Sequence, residues 1–268
     1  MSDVVLSAKN LCAYWNKKQI IFDCSFDLHR SQILAVCGPN GSGKSTLLNC
    51  IAGLNIENLN YEKNRICIKE KSLSFYKEKA LAKKIAYLLQ NEEMAWNYTV
   101  EDLVLTGRYS HSNGFYSKSD YAFVNDIMAY LKIEDFRHRR IFSLSGGELQ
   151  KVRIVRCLAQ EPEIILLDEP FVGLDFVYQA ELIELLKKLS VQEKKSIVIT
   201  IHDLNIVPSL TDNLMLLPKQ KKCITGETDA LLKSEILKEV YGCNFGFYNH
   251  PEYGYTQVYL EQGPVYQE

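Results

Sequence analysis

A nine-residue glycine-rich segment restricts the fold of this chain more than any other feature of its sequence. GPNGSGKST occupies residues 38–46 and follows ILAVC at 33–37, a short apolar run typical of a strand buried on both faces of a parallel sheet. The segment fits the pattern Gly-x-x-x-x-Gly-Lys-Ser/Thr, in which a strand leads through a glycine-rich turn into a helix. The sequence therefore predicts an α/β domain with an anion-binding turn at the end of a central strand.

The same segment predicts a nucleotide site. Backbone N–H groups of such a turn close around a phosphate, and the helix N-terminus adds a positive dipole. We expect Lys44 to reach the β- and γ-phosphates and Ser45 to bind Mg²⁺. A chance match, the alternative, is expected in roughly one chain in a hundred of this length. The predicted contacts are Gly38, Pro39, Asn40, Gly41, Ser42, Gly43, Lys44, Ser45 and Thr46.

A second glycine motif opens a later helix. LSGGELQ at 144–150 places Ser145 and Glu148 at the spacing of a capping box, so capping alone is one explanation. Capping requires neither the glycine pair nor Gln150, whereas an anion bound at a helix N-terminus favours small residues there. We therefore interpret the start of this helix as a second phosphate-binding segment. Its predicted nucleotide contacts are Ser145, Gly146 and Gly147.

Two adjacent carboxylates follow a strongly apolar run. EIILLDEP at 163–170 predicts a buried strand that ends in Asp168 and Glu169, and ligands of open parallel sheets bind at that edge. An isolated Asp-Glu pair at a strand end is more often a solvated turn, but the nearby glycine-rich turn favours a catalytic role. We expect Asp168 to orient Mg²⁺ and its water, and Glu169 to polarise the attacking water as general base.

With these three motifs in this order, the chain resembles the nucleotide-binding subunit of an ABC transporter over residues 1 to about 245. The resemblance implies a P-loop NTPase core of α/β type, with an N-terminal antiparallel β subdomain and an inserted helical subdomain. It implies ATP and Mg²⁺ as cofactors and ATP hydrolysis as the reaction. It also implies a homodimer, in which each ATP lies between the P-loop of one chain and the LSGGELQ helix of its partner.

Two further catalytic residues are assigned by this resemblance. Gln90, at the end of KIAYLLQ, matches the Q-loop glutamine that contacts Mg²⁺ and relays to the membrane subunit. His202, at the end of SIVITIH, matches the switch histidine that contacts the γ-phosphate. The other four histidines have no such position, and we interpret them as structural.

Two more nucleotide contacts come from the resemblance. Asp175 in FVGLD matches the D-loop aspartate that acts across the dimer, although Val172 stands where serine is frequent. Tyr14, 24 residues before Gly38, matches the aromatic residue that stacks on adenine. Trp15 beside it is the alternative for that role.

The pattern of apolar residues predicts how the chain is organised. Residues 1–90 and 161–245 are expected to form the nucleotide-binding core, 91–160 the helical subdomain and 246–268 a C-terminal tail of short strands. Paired antiparallel strands are predicted at 4–15 and 20–29, the second alternating at Ile20, Phe22, Cys24 and Phe26. Helices are predicted at about 44–53, 99–107, 119–132, 146–160, 176–192 and 228–241. Thr99, with Asp102 in capping-box spacing, and Ser119 are the expected N-caps of two of them.

Composition excludes several classes of protein. Thirty-one basic residues against 33 acidic residues give a net charge of -2, which argues against a polybasic nucleic-acid partner. No apolar run reaches the roughly 18 residues of a membrane-spanning helix. The N-terminus MSDVVLSAKN lacks the features of a signal peptide, so we expect a cytosolic chain. Eight widely spaced cysteines without a CxxC pair indicate reduced, mostly packed thiols rather than zinc sites.

Softer motifs indicate a branch of the family. These resemble importers of iron-siderophores, haem, cobalamin and related metal chelates, which implies permease subunits, an extracytoplasmic binding protein and a place on the cytoplasmic face of the membrane. They are VEDLVLTGRYSH (100–111), HDLN (202–205), EVYG (239–242) and HPEYG (250–254). DEPF (168–171) also occurs in zinc and manganese importers, so import of a free metal ion remains an alternative prediction. A soluble non-transport ABC ATPase would carry a coiled-coil insertion or two cassettes, and the sequence has neither.

The segment after Gln90 is the expected docking surface for the membrane subunit. NEEMAWNYTVEDL at 91–103 mixes Met94, Trp96 and Tyr98 with acidic neighbours. Tyr and Trp are favoured anchors of protein interfaces. Burial of these side chains in the subdomain's own core is the alternative.

Overall fold

The computed structural model describes residues 3–261, except residues 91, 93, 94 and 113. The strands lie at Val4–Trp15 (β1), Lys18–His29 (β2), Ile33–Cys37 (β3), Leu59–Tyr61 (β4), Ile66–Ile68 (β5), Lys71–Ser72 (β6), Ile85–Leu88 (β7), Ile164–Leu167 (β8), Ser196–Thr200 (β9), Asn213–Leu216 (β10), Ile224–Glu227 (β11), Phe245–Asn249 (β12) and Thr256–Leu260 (β13). The α-helices lie at Lys44–Ile51 (α1), Glu78–Ala82 (α2), Val100–Thr106 (α3), Tyr109–Ser112 (α4), Lys118–Tyr130 (α5), Gly146–Ala159 (α6), Phe176–Val191 (α7), Val207–Leu210 (α8), Thr228–Leu231 (α9) and Ser234–Tyr241 (α10). No helix in these described ranges is long and apolar enough to cross a membrane.

A six-stranded sheet forms the centre of the fold. Its strand order is β11-β10-β3-β9-β8-β7, and only β11 runs antiparallel to its neighbour. All five residues of β3 are buried, as the run ILAVC predicts. The carboxyl ends of β3, β7, β8 and β9 therefore lie at one edge, where ligands of parallel sheets bind.

The second sheet is antiparallel and packs over α1. Its order is β2-β1-β5-β6, with β4 also paired to β1. Leu47 and Leu48 of α1 share a buried cluster with Leu6 and Leu11 of this sheet and with Val36 of the central sheet. The apolar interior between the two sheets thus fixes the helix that follows the glycine-rich turn.

The predicted alternation of β2 is wrong at its first half. Ile21, Cys24, Phe26 and Leu28 are buried, whereas Ile20 and Phe22 are only partly buried. The pairing with β1 shifts register at four places, and two of these contain Asn10 and Asp23, which have φ of 49° and 44°. These two shifts are β-bulges, and a bulge inserts one residue and changes which face the following side chains occupy. The Asn10 side chain donates to Asp23 at 2.6 Å and joins the two bulges.

The helices between Val100 and Ala159 share a core of their own. Val100, Val104, Val124, Met128 and Val152 are fully buried within it. This agrees with the near absence of strand patterns from that part of the sequence, and the exact subdomain boundaries stay a prediction. The stripe predicted on α7 is confirmed, since Leu182, Leu186 and Leu189 face the main core with Ile183 and Leu185 at its margin.

Two details of the predicted helices are wrong. The N-cap of α5 is Ser117 rather than Ser119, because Asp120 completes a capping box with Ser117 and leaves Ser119 inside the first turn. The helix predicted at 228–241 is split into α9 and α10. Leu231 and Leu232 are both buried, and Leu232 leaves the helical conformation with ψ of 67°, which lets adjacent leucines reach the core. Thr99 caps α3 as predicted.

The tail forms a β-hairpin, β12-β13, as its aromatic pattern predicts.

The cysteines are free thiols, and Cys24, Cys37, Cys50, Cys157 and Cys223 are buried. Burial raises the pKa of Cys37 and Cys50 to about 12. These thiols therefore stay protonated at neutral pH and pack as small apolar groups.

Candidate active site

The glycine-rich turn joins β3 to α1 by a backbone that only glycine adopts readily. Gly43 has φ of 101° immediately before Lys44, the first residue of α1. A Cβ at Gly38 would lie 2.4 Å from the Leu217 carbonyl oxygen, so the turn passes directly against the end of β10. Because Gly38 and Gly43 have no side chain, the backbone can follow this path, and the N–H groups of the turn stay available to bind an anion.

Lys44 lies inside this turn. Its side chain is only 5% exposed, and Nζ donates to the Gly38 carbonyl at 3.0 Å. The nearest carboxylate oxygen, Glu169 Oε1, is 4.0 Å away. Burial lowers the pKa of Lys44, and the charge of Glu169 opposes that shift. A buried ammonium with such weak neutralisation favours an anionic ligand.

Ser42 has an unpaired buried hydroxyl. Its residue is 2% exposed, and Oγ finds no hydrogen-bond partner among the described residues. Buried polar atoms are nearly always hydrogen-bonded, so an unpaired one in a turn of this type indicates a ligand contact. The chemistry of the turn thus fits a phosphate group at two independent atoms, Ser42 Oγ and Lys44 Nζ.

Asp168 is held at the end of β8 by hydroxyl groups from both neighbouring strands. Thr200 at the end of β9 donates Oγ1 to Asp168 Oδ1 at 2.7 Å, and Tyr87 on β7 lies 3.5 Å from Oδ2. Asp168 is 3% exposed. Burial and this carboxylate raise the pKa of Tyr87 far above its ordinary value, so the phenol remains a donor. Sequence reasoning missed Thr200, although a polar residue ending a buried strand is a usable signal.

The Glu169 carboxylate lies against side chains from the ends of β7 and β9 and from the start of α1. The Gln90 amide donates to Oε2, His202 Nε2 is in direct contact with Oε1, and Lys44 Nζ is 4.0 Å from Oε1. The backbone of Glu169 has φ of 51°, and its N–H donates to Thr200 Oγ1 at 2.7 Å. Glycine adopts such a φ easily because it has no Cβ, whereas glutamate does so under constraint from its surroundings. The structure thus brings Gln90, Glu169 and His202 into direct contact.

The LSGGELQ segment starts α6 as predicted. Ser145 and Glu148 form a capping box, and Arg139 pairs with Glu148 at 2.8 Å. The Ser145 backbone N–H, followed by the Arg139 guanidinium, lowers the pKa of Glu148. Ser145 and Gly146 are exposed, and a Cβ at Gly146 would have no atom closer than 3.9 Å.

Two residues of this motif have partners inside the chain. A Cβ at Gly147 would lie 2.6 Å from the Tyr178 ring of α7, so close helix packing accounts for this glycine. Gln150 donates Nε2 to the Pro170 carbonyl at 3.0 Å. Among the described residues, no hydrogen bond or ion pair connects residues 144–147 with 38–46.

Comparison with known proteins decides the family. The sequence profile described as ABC transporter matches residues 21–172. The chain belongs to the ABC transporter family. It is an ATP-binding subunit of that family with the cassette fold of an ATPase, as the sequence motifs predict.

Individual relatives support this membership. The chain is 30% identical to the petrobactin import ATP-binding protein YclP of Bacillus subtilis, over 88% of this chain and 92% of YclP. It is 34% identical to the manganese transport system ATP-binding protein MntB of Halalkalibacterium halodurans, over 81% of this chain and 84% of MntB. A solved metal-chelate type ABC transporter in an inward-facing conformation matches with a TM-score of 0.83 and 31% identity, over 97% of this chain and 98% of that chain.

The remaining predicted site residues are Asp175, at the start of α7, and Tyr14 with its alternative Trp15, at the end of β1. Asp175 is the N-cap of α7, and its carboxylate accepts from Tyr178 N at 2.9 Å. Val172 is 62% exposed. Tyr14 and Trp15 end β1 with almost equal exposure, 38% and 37%. The Ile20 side chain at the start of β2 would lie 2.8 Å from a Cβ at Gly43, so this sheet contacts the glycine-rich turn.

Another contact that sequence reasoning missed links the segment after Gln90 to α6. Both carboxylate oxygens of Glu92 accept from Arg156, at 2.5 and 2.6 Å, and Arg153 donates to the Glu92 carbonyl at 2.9 Å. Arg153 and Arg156 lie 61 and 64 positions after Glu92, so no local pattern could indicate the contact. The helix that carries LSGGELQ is thereby tied to the chain that follows β7.

Proposed function

We propose that this ATPase subunit energises an ABC importer of an iron-siderophore, haem, cobalamin or related metal chelate. The observation that carries the catalytic part is the meeting of Gln90, Glu169 and His202 beside Lys44, at the edge where the parallel strands of the central sheet end. A glycine-rich phosphate turn and a carboxylate with polar donors at that edge are the parts that phosphoryl transfer requires.

ATP binding rests on the residues of the turn. Backbone N–H groups of 38–46 and the start of α1 surround the β- and γ-phosphates, and Lys44 supplies the charge. Ser42 gains the hydrogen bond that its buried hydroxyl otherwise lacks. Tyr14 stacks on adenine, with Trp15 as the alternative. Stacking needs a half-exposed ring near the turn, and both residues meet this condition.

Mg²⁺ fits the donor set beside the turn. Ser45, Gln90 and Asp168 offer a hydroxyl, an amide and a carboxylate oxygen, the hard ligands that this ion prefers together with phosphate oxygens and water. When bound, Mg²⁺ neutralises charge that develops on the β- and γ-phosphates. Asp168 is preorganised for that task, because Thr200 and Tyr87 hold its two oxygens.

Glu169 serves as the general base. Its carboxylate accepts a proton from the attacking water, and His202 contacts the γ-phosphate. The direct contact between Glu169 and His202 means that the same imidazole orients the base and reaches toward the phosphate. Gln90 holds the other carboxylate oxygen, so a movement of the segment after β7 reaches the base directly.

The active unit is a homodimer with ATP at the interface. Ser145 and Gly146 are exposed at the start of α6, and in the part of the chain that the structure describes they make no hydrogen bond or ion pair with the turn 38–46. They contact the nucleotide of the partner, where an open helix N-terminus binds phosphate. Gly147 contributes its backbone while its missing side chain admits Tyr178. Asp175 acts across the same interface.

The helical subdomain docks on the permease subunits at the cytoplasmic face of the membrane. Trp96 is 70% exposed, which supports an interface role over burial in the subdomain core. Tyr98 instead packs partly against that core, and Met94 lies outside the described residues. An extracytoplasmic binding protein acts indirectly, through the permease.

Chelate import is supported by the four secondary motifs and by the similarity to a petrobactin import protein and a metal-chelate type transporter. The alternative is import of free manganese or zinc, which the similarity to MntB favours. The test is to reconstitute the chain with its permease and binding protein in vesicles and supply labelled ferric siderophore, haem, cobalamin, Mn²⁺ and Zn²⁺. We expect ATP-dependent accumulation of one chelate, with the Glu169→Gln chain as control. Accumulation of Mn²⁺ or Zn²⁺ alone would support the alternative.

A further inference from the structure

The C-terminal hairpin is hydrogen-bonded to the loop that carries His202. Asn205 lies three residues after His202, and its Nδ2 donates to the Val258 carbonyl at 3.1 Å. Its Oδ1 accepts from Val258 N at 2.8 Å. One side-chain amide thus engages both backbone groups of a residue 53 positions further along the chain.

The register of the hairpin explains why these groups are available. His250 N donates to Tyr255 O, and Glu261 N donates to Asn244 O. Hydrogen-bonded pairs alternate along an antiparallel ladder, so the pair formed by Phe247 and Val258 is a non-hydrogen-bonded one. The N–H and C=O of Val258 therefore point away from β12. The Asn205 amide takes the place that a third strand would occupy.

The hairpin is itself fixed to the main core. Phe245 and Val258 are 7% and 9% exposed and belong to the buried cluster beneath the central sheet. The Tyr241 ring meets Phe245 edge-on, with centroids 5.7 Å apart. Asn205 is thereby attached to a rigid partner, although it lies in a loop.

His202 is exposed between two buried residues of its loop. Ile201 before it and Leu204 after it are 2% and 5% exposed, whereas the His202 side chain is 38% exposed. Asp203 accepts from Asn205 N at 2.9 Å and closes the turn. The His202 side chain joins this loop to the site through its contact with Glu169.

We propose that Asn205 is a positioning residue for His202, and that the C-terminal hairpin acts through it to hold the imidazole against Glu169. The proposal rests on the role given to His202 in the proposed function. It gives a task to two sequence features that the ATPase chemistry leaves unused, HDLN at 202–205 and the aromatic tail. A side chain that fixes the approach of a catalytic group changes turnover far more than it changes ligand binding.

The first test observes His202 directly and needs no activity. The full chain, labelled with ¹⁵N-histidine, gives one set of ring signals, from Nδ1 and Nε2, for each of its five histidines, and His202→Gln identifies the set from residue 202. We expect Asn205→Ala and Asn205→Asp to shift those signals, because the first removes both hydrogen bonds and the second sets a carboxylate against the Val258 carbonyl. Gln257→Ala is the matched control, since it removes a hydrogen bond to Tyr248 within the same hairpin. An unchanged His202 signal in both Asn205 variants would overturn the proposal.

The second test is a double-mutant cycle on ATP turnover. Asn205→Ala should lower kcat by about 10- to 100-fold and leave nucleotide affinity unchanged. In a His202→Ala background the same change should lower kcat no further, because the residue to be positioned is gone. Equal losses in both backgrounds would show a general structural role and contradict the proposal. A wild-type chain without ATPase activity would instead overturn the proposed function, and the histidine signals would still decide the role of Asn205.

Discussion

The side-chain amide of Gln150 donates to the carbonyl of Pro170 at 3.0 Å. The hydrogen bond ties the first turns of α6, which opens with LSGGELQ, to the residue directly after Glu169. In the proposed dimer, α6 reaches the partner's nucleotide, so Gln150 links that contact to the base of its own chain.

Replacement of Gln150 tests this link. We expect Gln150→Ala to lower ATP turnover and to leave nucleotide affinity unchanged, because the P-loop is untouched. The lost hydrogen bond should reduce the free energy of unfolding by about 0.5 to 1.5 kcal/mol. Urea denaturation and steady-state ATP hydrolysis measure the two effects. Full turnover together with the expected destabilisation would show that the hydrogen bond is structural only.

Removal of the Lys44 side chain should weaken nucleotide binding strongly. A charge-assisted hydrogen bond contributes about 1.5 to 3 kcal/mol, so Lys44→Ala should lower affinity roughly 10- to 150-fold. Tyr14→Ala should lower it less, because Trp15 is equally exposed beside it. Titration with a fluorescent ATP analogue measures both. Equal losses would mean that the adenine end contributes as much as the phosphate end.

Trp96→Ala should weaken assembly with the permease. An aromatic anchor at an interface often contributes 2 kcal/mol or more, that is about a 30-fold change in affinity. The melting temperature of the free chain should stay the same, because the side chain is 70% exposed. Phe75→Ala, which removes a similarly exposed aromatic ring outside the helical subdomain, is the matched control. Unchanged assembly with a lowered melting temperature would place Trp96 in the core.

Asp120 should contribute a pH-dependent part of the stability. The Ser117 N–H and hydroxyl, with Arg108, lower the pKa of this carboxylate from 3.8 to about 2. Because the folded-state pKa is depressed, its stabilisation is fully present above about pH 4 and is lost as the pH falls through about 2. Asp120→Asn should therefore be less stable than wild type by about 1 to 2 kcal/mol at pH 6, and the difference should narrow as the pH falls below 4.

Urea denaturation across that pH range measures the difference. Asp126→Asn on the exposed face of the same helix controls for loss of a negative charge. A difference for Asp120→Asn that stays constant from pH 6 to below 4 would contradict the role given to this carboxylate.

The central site could be predicted from the sequence because its parts are local. The turn 38–46 and the pair Asp168 and Glu169 each follow one apolar strand, and parallel topology brings their ends together without further information. Gln90 and His202 needed the family resemblance, since a single polar residue after a strand has no pattern of its own.

The features that sequence reasoning missed depend on distant partners. Asn205 meets Val258 53 positions away, and Glu92 meets Arg156 64 positions away. The bulges at Asn10 and Asp23 change the face of β2 through backbone conformations that an alternating pattern does not show. Ser117 rather than Ser119 caps α5 because Asp120 lies three residues after Ser117, which is the spacing of a capping box and is readable in the sequence.

Glu169→Gln tests most directly whether Glu169 is the general base for ATP hydrolysis within a dimer. The change keeps the size of the side chain and removes its ability to accept the proton from water. Size-exclusion chromatography with Mg-ATP and steady-state hydrolysis are measured on the same sample, with Glu184→Gln on the exposed face of α7 as control. We predict that Glu169→Gln binds ATP, elutes as a dimer and hydrolyses about 10²- to 10⁴-fold more slowly than wild type. Hydrolysis at nearly the wild-type rate, from a chain that stays monomeric with ATP, would contradict the account.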